Sequence, residues 1–220
     1  MARLTRKEMH ARTRERLLET AQRLFLSDGY NATSMEKVAA EAGYSKGAVY
    51  SNFATRYELG LAVLDRVRHE RADSLISAIT SVTGLQDRLA AFDRWAERTL
   101  GDEGWTVLEV EFAASSRHIE GIPEQLADRR QAMTAILGAA LARQAEQLGV
   151  RLTISAEDLA VRLLAMGIGL GVQRAFDPHL PVHALSDLVR EAIRDREPSA
   201  DPAATKPTGT RPTPGMTSTR

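Results

Sequence analysis

The sequence predicts an all-α protein of about nine helices, in which a three-helix head precedes a larger helical body. Alanine, leucine, arginine and glutamate dominate the composition, and all four favour helices. Apolar residues recur at intervals of three and four along most of the chain, which is the pattern of a helix with one buried face. Glycine and proline fall mainly between these periodic segments, where helices must end.

The first predicted helix runs from about Arg12 to Asp28. Leu17, Leu24 and Phe25 lie on one face of it and form an apolar stripe. Gly29 follows the stripe and ends the helix, because glycine readily adopts the backbone angles that stop one. This helix must pack on the next two if the head is to have a core.

Two shorter helices follow, joined by a glycine turn. Thr33 and Glu36 have the spacing of a capping box, which predicts the start of the second helix. Gly43 ends that helix, and Ser45 caps a third one that extends to about Asn52. Two helices with so short a turn form a helix-turn-helix, whose second member is suited to the major groove of DNA. The alternative is an ordinary surface turn between two helices.

The string SKGAVYSNF at residues 45–53, followed by Arg56 and Leu59, resembles the recognition segment of the TetR family of bacterial transcriptional regulators. Asn52 stands where that family often has histidine or tyrosine, and Arg56 where lysine is common. The close resemblance extends over about residues 12–71. It implies a homodimeric regulator, most often a repressor, that binds an inverted repeat in double-stranded DNA and is released by a small-molecule effector.

For a DNA-binding regulator of this kind, we predict DNA contacts on the exposed side of the third helix and on the residues next to it. Cationic side chains and free helix-start amides are expected to hold phosphates, while a tyrosine and small polar residues approach the backbone or the base edges. The predicted phosphate contacts are Arg12, Thr33, Lys46 and Arg56, and the other predicted contacts are Ser45, Gly47, Tyr50 and Asn52.

Charge is distributed unevenly along the chain, although the net charge is zero. The first 16 residues hold six basic and two acidic side chains. We therefore expect residues 1–11 to form a basic arm that reaches phosphates or the minor groove, ahead of a DNA-binding domain at residues 12–58. A solvated tail without function is the alternative for this basic segment.

The predicted body, residues 59–196, is expected to bind an effector and to dimerise. One segment is ambiguous, since VLEVEF at residues 107–112 alternates apolar and acidic residues at the two-residue period of a strand. It has no second strand to pair with, so we interpret it as helix. The remaining predicted helices run from Thr55 to about Ser81, Leu85 to Leu100, Trp105 to Arg117, Pro123 to Leu148, Ser155 to Phe176, and Leu185 to about Ile193.

Three glycines alternate in MGIGLG, residues 166–171, within helical periodicity. Each costs roughly 1 kcal/mol relative to alanine in a helix, so close approach of a second helix is the natural compensation. The resemblance implies that this second helix belongs to another copy, because the last two long helices of the family form a four-helix dimer interface. Packing within the chain or around a ligand is the alternative. The predicted interface residues are Leu163, Gly167, Leu170, Gly171, Leu185, Leu188 and Val189.

Several aromatic residues, including both tryptophans, lie between the head and these helices. Each on its own is more often a core residue, but together they are able to line an apolar cavity. The resemblance implies an effector pocket here, whose occupation tilts the long helix from Thr55 and separates two heads. The predicted pocket residues are Phe92, Trp95, Trp105, Phe112, Arg117, Met133 and Phe176.

Other function classes find little support in the sequence. There is no cysteine, which excludes a disulfide framework or a thiolate metal site. No apolar run approaches the ~18 residues of a membrane span, so a cytoplasmic protein is expected. Pro181 separates His179 from His183, so these histidines do not share a helix face. With no catalytic motif present, we expect no enzyme activity, no metal and no cofactor.

Residues 197–220 are predicted to be a disordered tail, since they are rich in proline and threonine and lack apolar periodicity. Two further interpretations remain open for the whole chain. One is a DNA-binding helical protein without effector control. The other is a helical ligand-binding module whose helix-turn-helix motif is vestigial.

Overall fold

The computed structural model describes residues 5–195, which form nine α-helices and one two-stranded antiparallel sheet. The all-α prediction is therefore confirmed for this part of the chain, and the predicted tail at 197–220 lies outside the described residues. The helices are α1 (Arg6–Asp28), α2 (Met35–Ala42), α3 (Lys46–Asn52), α4 (Arg56–Thr80), α5 (Leu85–Thr99), α6 (Glu103–Ser116), α7 (Ile122–Leu148), α8 (Ala156–Arg174) and α9 (Ala184–Glu191).

The small sheet is a feature that the sequence reading did not contain. Strand β1 (Val150–Leu152) pairs with β2 (Ile193–Asp195), and Val150 lies opposite Asp195. The last helix was predicted to reach Ile193, but it ends at Glu191 and the chain continues as β2. Segments of three residues carry too little periodicity to be predicted, and their pairing joins residues far apart in sequence.

Two predicted helix starts are confirmed by their side-chain caps. The Thr55 hydroxyl accepts the backbone N–H of Glu58 at 3.0 Å. The Ser155 hydroxyl accepts the backbone N–H of Asp158 at 3.0 Å. The ambiguous segment at residues 107–112 is helical, as interpreted, and lies within α6.

The start of α1 differs from the prediction, because the helix begins at Arg6 rather than near Arg12. Thr5 caps it: its hydroxyl accepts the backbone N–H of Glu8 at 3.3 Å, and the Glu8 carboxylate accepts the N–H of Thr5 at 2.7 Å. The predicted arm at residues 1–11 is thus helical from Arg6 onward. The apolar stripe begins only later, which is why the earlier turns were missed.

The start of α2 also needs a correction. Thr33 was predicted to cap this helix with Glu36, but the cap is Ser34, whose hydroxyl accepts the N–H of Lys37 at 3.1 Å. Thr33 is buried, and its hydroxyl donates to the carbonyl oxygen of Gly29 at 3.0 Å. The two neighbouring hydroxyl residues have the same capping chemistry, so the sequence alone favoured the wrong one.

Head and body share one hydrophobic cluster, which crosses the predicted boundary between residues 58 and 59. Phe112, on α6, is fully buried in this cluster. Its ring packs edge-on against Tyr30, with ring centroids 5.1 Å apart, and lies 6.5 Å from the ring of Tyr57. Gly60 on α4 leaves space for this packing, because a Cβ built there would clash with the Phe112 ring.

Polar contacts fix the same junction. The Glu111 carboxylate on α6 accepts the backbone N–H of Asn31 at 3.0 Å, and the Ser115 hydroxyl donates to the Asn31 side-chain oxygen at 2.8 Å. Asn31 belongs to the loop between α1 and α2, so α6 holds the helix-turn-helix at its entrance. The orientation of the head is therefore set by α6.

A second cluster forms the core of the body, where α5, α8 and α9 meet. Arg174, at the end of α8, is buried beside it. Its guanidinium donates to the Leu100 carbonyl oxygen at 3.1 Å and to the Glu97 carboxylate at 3.1 Å, and it also donates to the Leu180 carbonyl oxygen. One arginine thus ties the ends of α5 and α8 to the loop before α9.

Gly60→Ala should destabilise the protein. The added methyl group has no room beside Phe112, so the ring and α4 must separate. We expect this to lower the free energy of unfolding by about 1–3 kcal/mol, as overpacking of a core typically does. Urea denaturation followed by circular dichroism measures the change.

Gly47→Ala is the matched control, because Gly47 is also helical. A Cβ built at Gly47 would meet only the Ser45 hydroxyl, at 3.9 Å. This substitution should therefore stabilise the chain by about 0.5–1 kcal/mol through helix propensity alone. Equal effects of the two substitutions would contradict the packing role of Gly60.

Candidate nucleic-acid interface

Helix α3 is held by one buried face and exposes the opposite one. Val49 and Phe53 are fully buried in the head core. Lys46, Gly47 and Tyr50 lie on the other side and are exposed. A recognition helix needs this arrangement, because its exposed face has to enter a groove while the buried face keeps it in position.

Lys46 is the only charged side chain of α3. Its ammonium nitrogen lies 2.5 Å from a Glu36 carboxylate oxygen on α2 and 5.7 Å from the centroid of the Tyr50 ring. Both members of the ion pair are largely exposed, with side-chain exposed fractions of 64% and 51%. The hydrogen bond to Lys46 lowers the pKa of Glu36, and the same bond raises the pKa of Lys46. Both groups are therefore charged at neutral pH.

The remaining charges of α2 are paired as well. The Lys37 ammonium contacts the Asp28 carboxylate at 2.6 Å, and the Glu41 carboxylate contacts the Arg23 guanidinium at 3.2 Å. Within residues 5–195, every charged side chain of the two motif helices thus has a partner of opposite charge. Glu36 was assigned only a capping role from the sequence, since no local spacing indicates its contact with Lys46.

Ser45 and Asn52 lie at the two ends of α3 and use their side chains within the helix. The Ser45 hydroxyl accepts the N–H of Ala48 at 3.2 Å, which confirms the predicted cap. The Asn52 side-chain amide donates to the Ala48 carbonyl oxygen at 2.8 Å. Contact of either side chain with DNA stays a prediction.

The side chains of two predicted phosphate contacts, Thr33 and Arg56, are turned inward, and their contact with DNA stays a prediction. Thr33 is 1% exposed. The Arg56 guanidinium donates to the Tyr30 carbonyl oxygen and lies over the Tyr30 ring, with its central carbon 3.9 Å from the ring centroid. Motif spacing located Arg56 correctly at the start of α4, but it does not reveal which way a long side chain turns.

Arg12 is exposed, as a phosphate contact must be. It lies within helix α1, which begins six residues earlier at Arg6. It lines a groove between α1 and the turn that joins α2 to α3. Arg14, which the sequence reading passed over, covers the head core, with its guanidinium carbon 4.2 Å from the Phe53 ring centroid. The groove is lined by Arg12, Glu15, Arg16, Glu19, Ala42, Gly43 and Tyr44.

The predicted pocket residues are distributed over both hydrophobic clusters and the surface, and their role in binding an effector stays a prediction. Phe112 is sealed in the cluster shared by head and body, and Phe176 is 85% exposed beyond the end of α8. Trp105 packs against the same cluster as Phe112, under the guanidinium of Arg71. Arg117 is exposed after the end of α6, and Met133 is partly buried on α7. Phe92 and Trp95 pack together in the core of the body.

The side chains of Phe92 and Trp95 are stacked, with centroids 6.2 Å apart and an interplanar angle of 21°. The indole N–H of Trp95 and one carboxylate oxygen of Asp93 are buried, and neither has a hydrogen-bond partner among the described residues. A buried polar group without a partner costs about 1–3 kcal/mol. Both atoms belong to α5, the helix that carries the predicted pocket residues Phe92 and Trp95.

The predicted dimer interface stays a prediction, although most of its residues pack within the chain's own core. Leu163 and Leu185 are buried in the chain's own second cluster, and Leu170, Leu188 and Val189 pack against it. Gly171 is buried too, and its carbonyl oxygen accepts a hydrogen bond from the Thr106 hydroxyl at 3.4 Å. A Cβ built at Gly167 or Gly169, by contrast, would meet nothing within 4 Å. Periodicity identified an apolar helix, but not which of its faces points outward.

An exposed apolar surface lies elsewhere on the same helices. Three large hydrophobic side chains are 43–55% exposed there: Ile136 on α7, and Val161 and Ile168 on α8. The exposed residues Ala132, Ala135, Ala139 and Ala142 continue this surface along α7 at helical spacing. We call these residues the α7–α8 face. Helices α7 and α8 pack directly on each other.

Residues 17–63 match the family model of bacterial regulatory proteins of the tetR family. Among curated relatives, the transcriptional activator FasR of Mycolicibacterium smegmatis is 36% identical over 78 residues, which are 36% of each chain. The transcriptional repressor BepR of Brucella suis is 30% identical over 68 residues, which are 31% of this chain and 32% of BepR. The matched segment thus spans about a third of these relatives.

Solved structures extend the similarity beyond the head. The reduced form of Escherichia coli NemR superposes with a TM-score of 0.64 at 21% identity, over 84% of this chain and 99% of NemR. A TetR-family transcriptional regulator from a Rhodococcus species superposes with a TM-score of 0.65 at 19% identity, over 82% of this chain and 96% of that one. These similarities establish the fold.

None of the helices between residues 5 and 195 is long and apolar enough to cross a membrane. The same residues contain no group of three or more histidine, cysteine, aspartate or glutamate side chains arranged to hold a metal ion. The recognition motif, the family model and the curated relatives agree over the head, so residues 17–63 are similar to the helix-turn-helix segment of bacterial regulatory proteins of the tetR family.

Proposed function

We propose that the protein is a transcriptional regulator that binds double-stranded DNA through α3. The observation that carries this proposal is the exposed face of Lys46, Gly47 and Tyr50, supported from beneath by Val49 and Phe53. The face is small and uncharged apart from Lys46, so backbone and base edges are able to approach it closely. The DNA-binding domain proposed from the sequence, residues 12–58, contains this face.

Arginines on α1 provide further contacts in this proposal. Arg12 and Arg16 are exposed beside the turn between α2 and α3, and they make no ion pair with any residue from 5 to 195. A duplex lying along α3 would bring phosphates toward this side of the head. Phosphate contacts of this kind position a protein on DNA and contribute most of its affinity.

We further propose that the protein acts as a homodimer on an inverted repeat. One short helix reads only a few base pairs, whereas two copies spaced by about one helical turn (~34 Å) read two half-sites. The α7–α8 face supports this proposal, because exposed apolar side chains that form a continuous surface mark a site of association. Small alanine side chains on α7 allow a second helix to approach closely.

Effector control is proposed for the body. Its support is the buried indole N–H of Trp95, next to the stacked ring of Phe92, which has no partner within the described residues. A ligand that accepts a hydrogen bond from this N–H would offset the free-energy cost of the buried donor. Such a ligand changes DNA affinity only if it binds the DNA-free arrangement of the two heads more tightly than the bound one.

We propose repression as the mode of regulation, since occupying an operator is sufficient for it. FasR is named an activator and BepR a repressor, so the similarity to these relatives does not decide between the two modes. Footprinting on the DNA upstream of the chain's own gene tests the function. Protection of two symmetric half-sites about one helical turn apart is expected. A purified protein that protects no DNA in dilute salt would refute the proposal.

Lys46→Ala should weaken DNA binding and reduce its salt dependence. Loss of one phosphate contact lowers the slope of log affinity against log salt by about one unit. Titrations of a labelled duplex at several salt concentrations, followed by fluorescence anisotropy, measure this slope. Arg94→Ala is the control, because Arg94 is an exposed cation on α5, away from the head. If both substitutions change the slope equally, Lys46 is not a DNA contact.

Ile168→Glu should separate the dimer into monomers. Ile168 is 55% exposed on the α7–α8 face, and a charge there would be buried without a partner on association. Sedimentation equilibrium measures the mass. Ile76→Glu is the matched control, since Ile76 is 43% exposed on α4. A dimer that survives the first substitution, or is lost equally in both, would show that the interface lies elsewhere.

A further inference from the structure

The helix-turn-helix is electrically neutralised before any DNA is bound. Lys46 provides the only charge of α3, and it is already in contact with Glu36. A phosphate that approaches Lys46 therefore competes with a carboxylate that lies 2.5 Å from the ammonium nitrogen. Binding is an exchange of one anion for another at this position, and not the simple addition of a contact.

Glu36 remains charged after such an exchange. It lies in the first turn of α2, where the helix dipole favours a negative side chain. Released from Lys46, its carboxylate would stand unpaired on the surface that faces DNA. Like charges placed across an interface are unfavourable, and rim charges act mainly on association and on salt dependence.

We propose that Glu36 limits the DNA affinity of this protein by holding Lys46 away from phosphate. The proposal rests on the function proposed above, and it assigns Glu36 as a positioning residue that acts through Lys46. The energetic effect is modest, because exposed ion pairs contribute little in water. It applies to any duplex, since phosphates are present in every sequence.

The test uses the full-length protein and a fluorescein-labelled duplex of unrelated sequence, of about 30 base pairs, at about 50 mM salt. Glu36→Gln should bind this duplex about two- to fivefold more tightly than the wild type, the size expected for an exposed ion pair. Its salt slope should be steeper than that of the wild type. In the Lys46→Ala variant, Glu36→Gln should no longer increase the affinity for DNA.

Glu41→Gln is the matched control. Glu41 lies on the same helix, and its side chain is exposed to 51%, as is that of Glu36, but its partner is Arg23. Both substitutions remove one negative charge from α2. Thermal melting followed by circular dichroism verifies that each variant is folded.

The outcomes separate this inference from the proposed function. If the wild type does not bind the duplex at all, the proposed function fails. If the wild type binds and Lys46→Ala weakens binding, but Glu36→Gln and Glu41→Gln behave alike, only net charge matters and the inference is overturned. A weaker complex with Glu36→Gln would overturn it as well, because Glu36 would then contribute to binding.

Discussion

The packing of Phe112 against Tyr30 and Gly60 determines where the recognition helix points. These residues lie on α6, on the loop after α1, and on α4, so their packing joins the head to the body. Because α7 follows α6 after a short connection, the same contact relates α3 to the α7–α8 face. Two copies that associate through that face are able to bind two half-sites only if the position of α3 relative to the face is fixed. The distance between the two α3 helices must equal the spacing of the half-sites.

The charges of the head show how a chain with zero net charge is compatible with a polyanionic partner. The ion pairs of Glu36, Lys37 and Glu41 leave the two motif helices neutral as a unit. Attraction to phosphate then depends on α1, whose basic residues cluster near its start. In the proposed complex, α1 would therefore contribute general electrostatic affinity and α3 the closely fitting contacts.

The sequence was sufficient for those features that depend on local patterns. Helical periodicity gave nine helices, and the absence of a partner strand correctly decided the ambiguous segment in α6. Side-chain orientation, by contrast, depends on contacts between residues distant in the chain. Arg56 turns toward Tyr30, Phe112 packs in the head, and Leu163 faces the chain's own core, because tertiary packing selects among orientations that are equivalent in sequence.

Continuous helical structure from Arg6 into the head has a mechanical consequence. A flexible arm would search for a groove and lose conformational entropy on finding it. A helix rises 1.5 Å for each residue, so Arg6 stands roughly 9 Å from Arg12 along a stiff axis. In the proposed complex with DNA, the cations of α1 from Arg6 to Arg16 would therefore meet the duplex in a fixed order along a rigid helix.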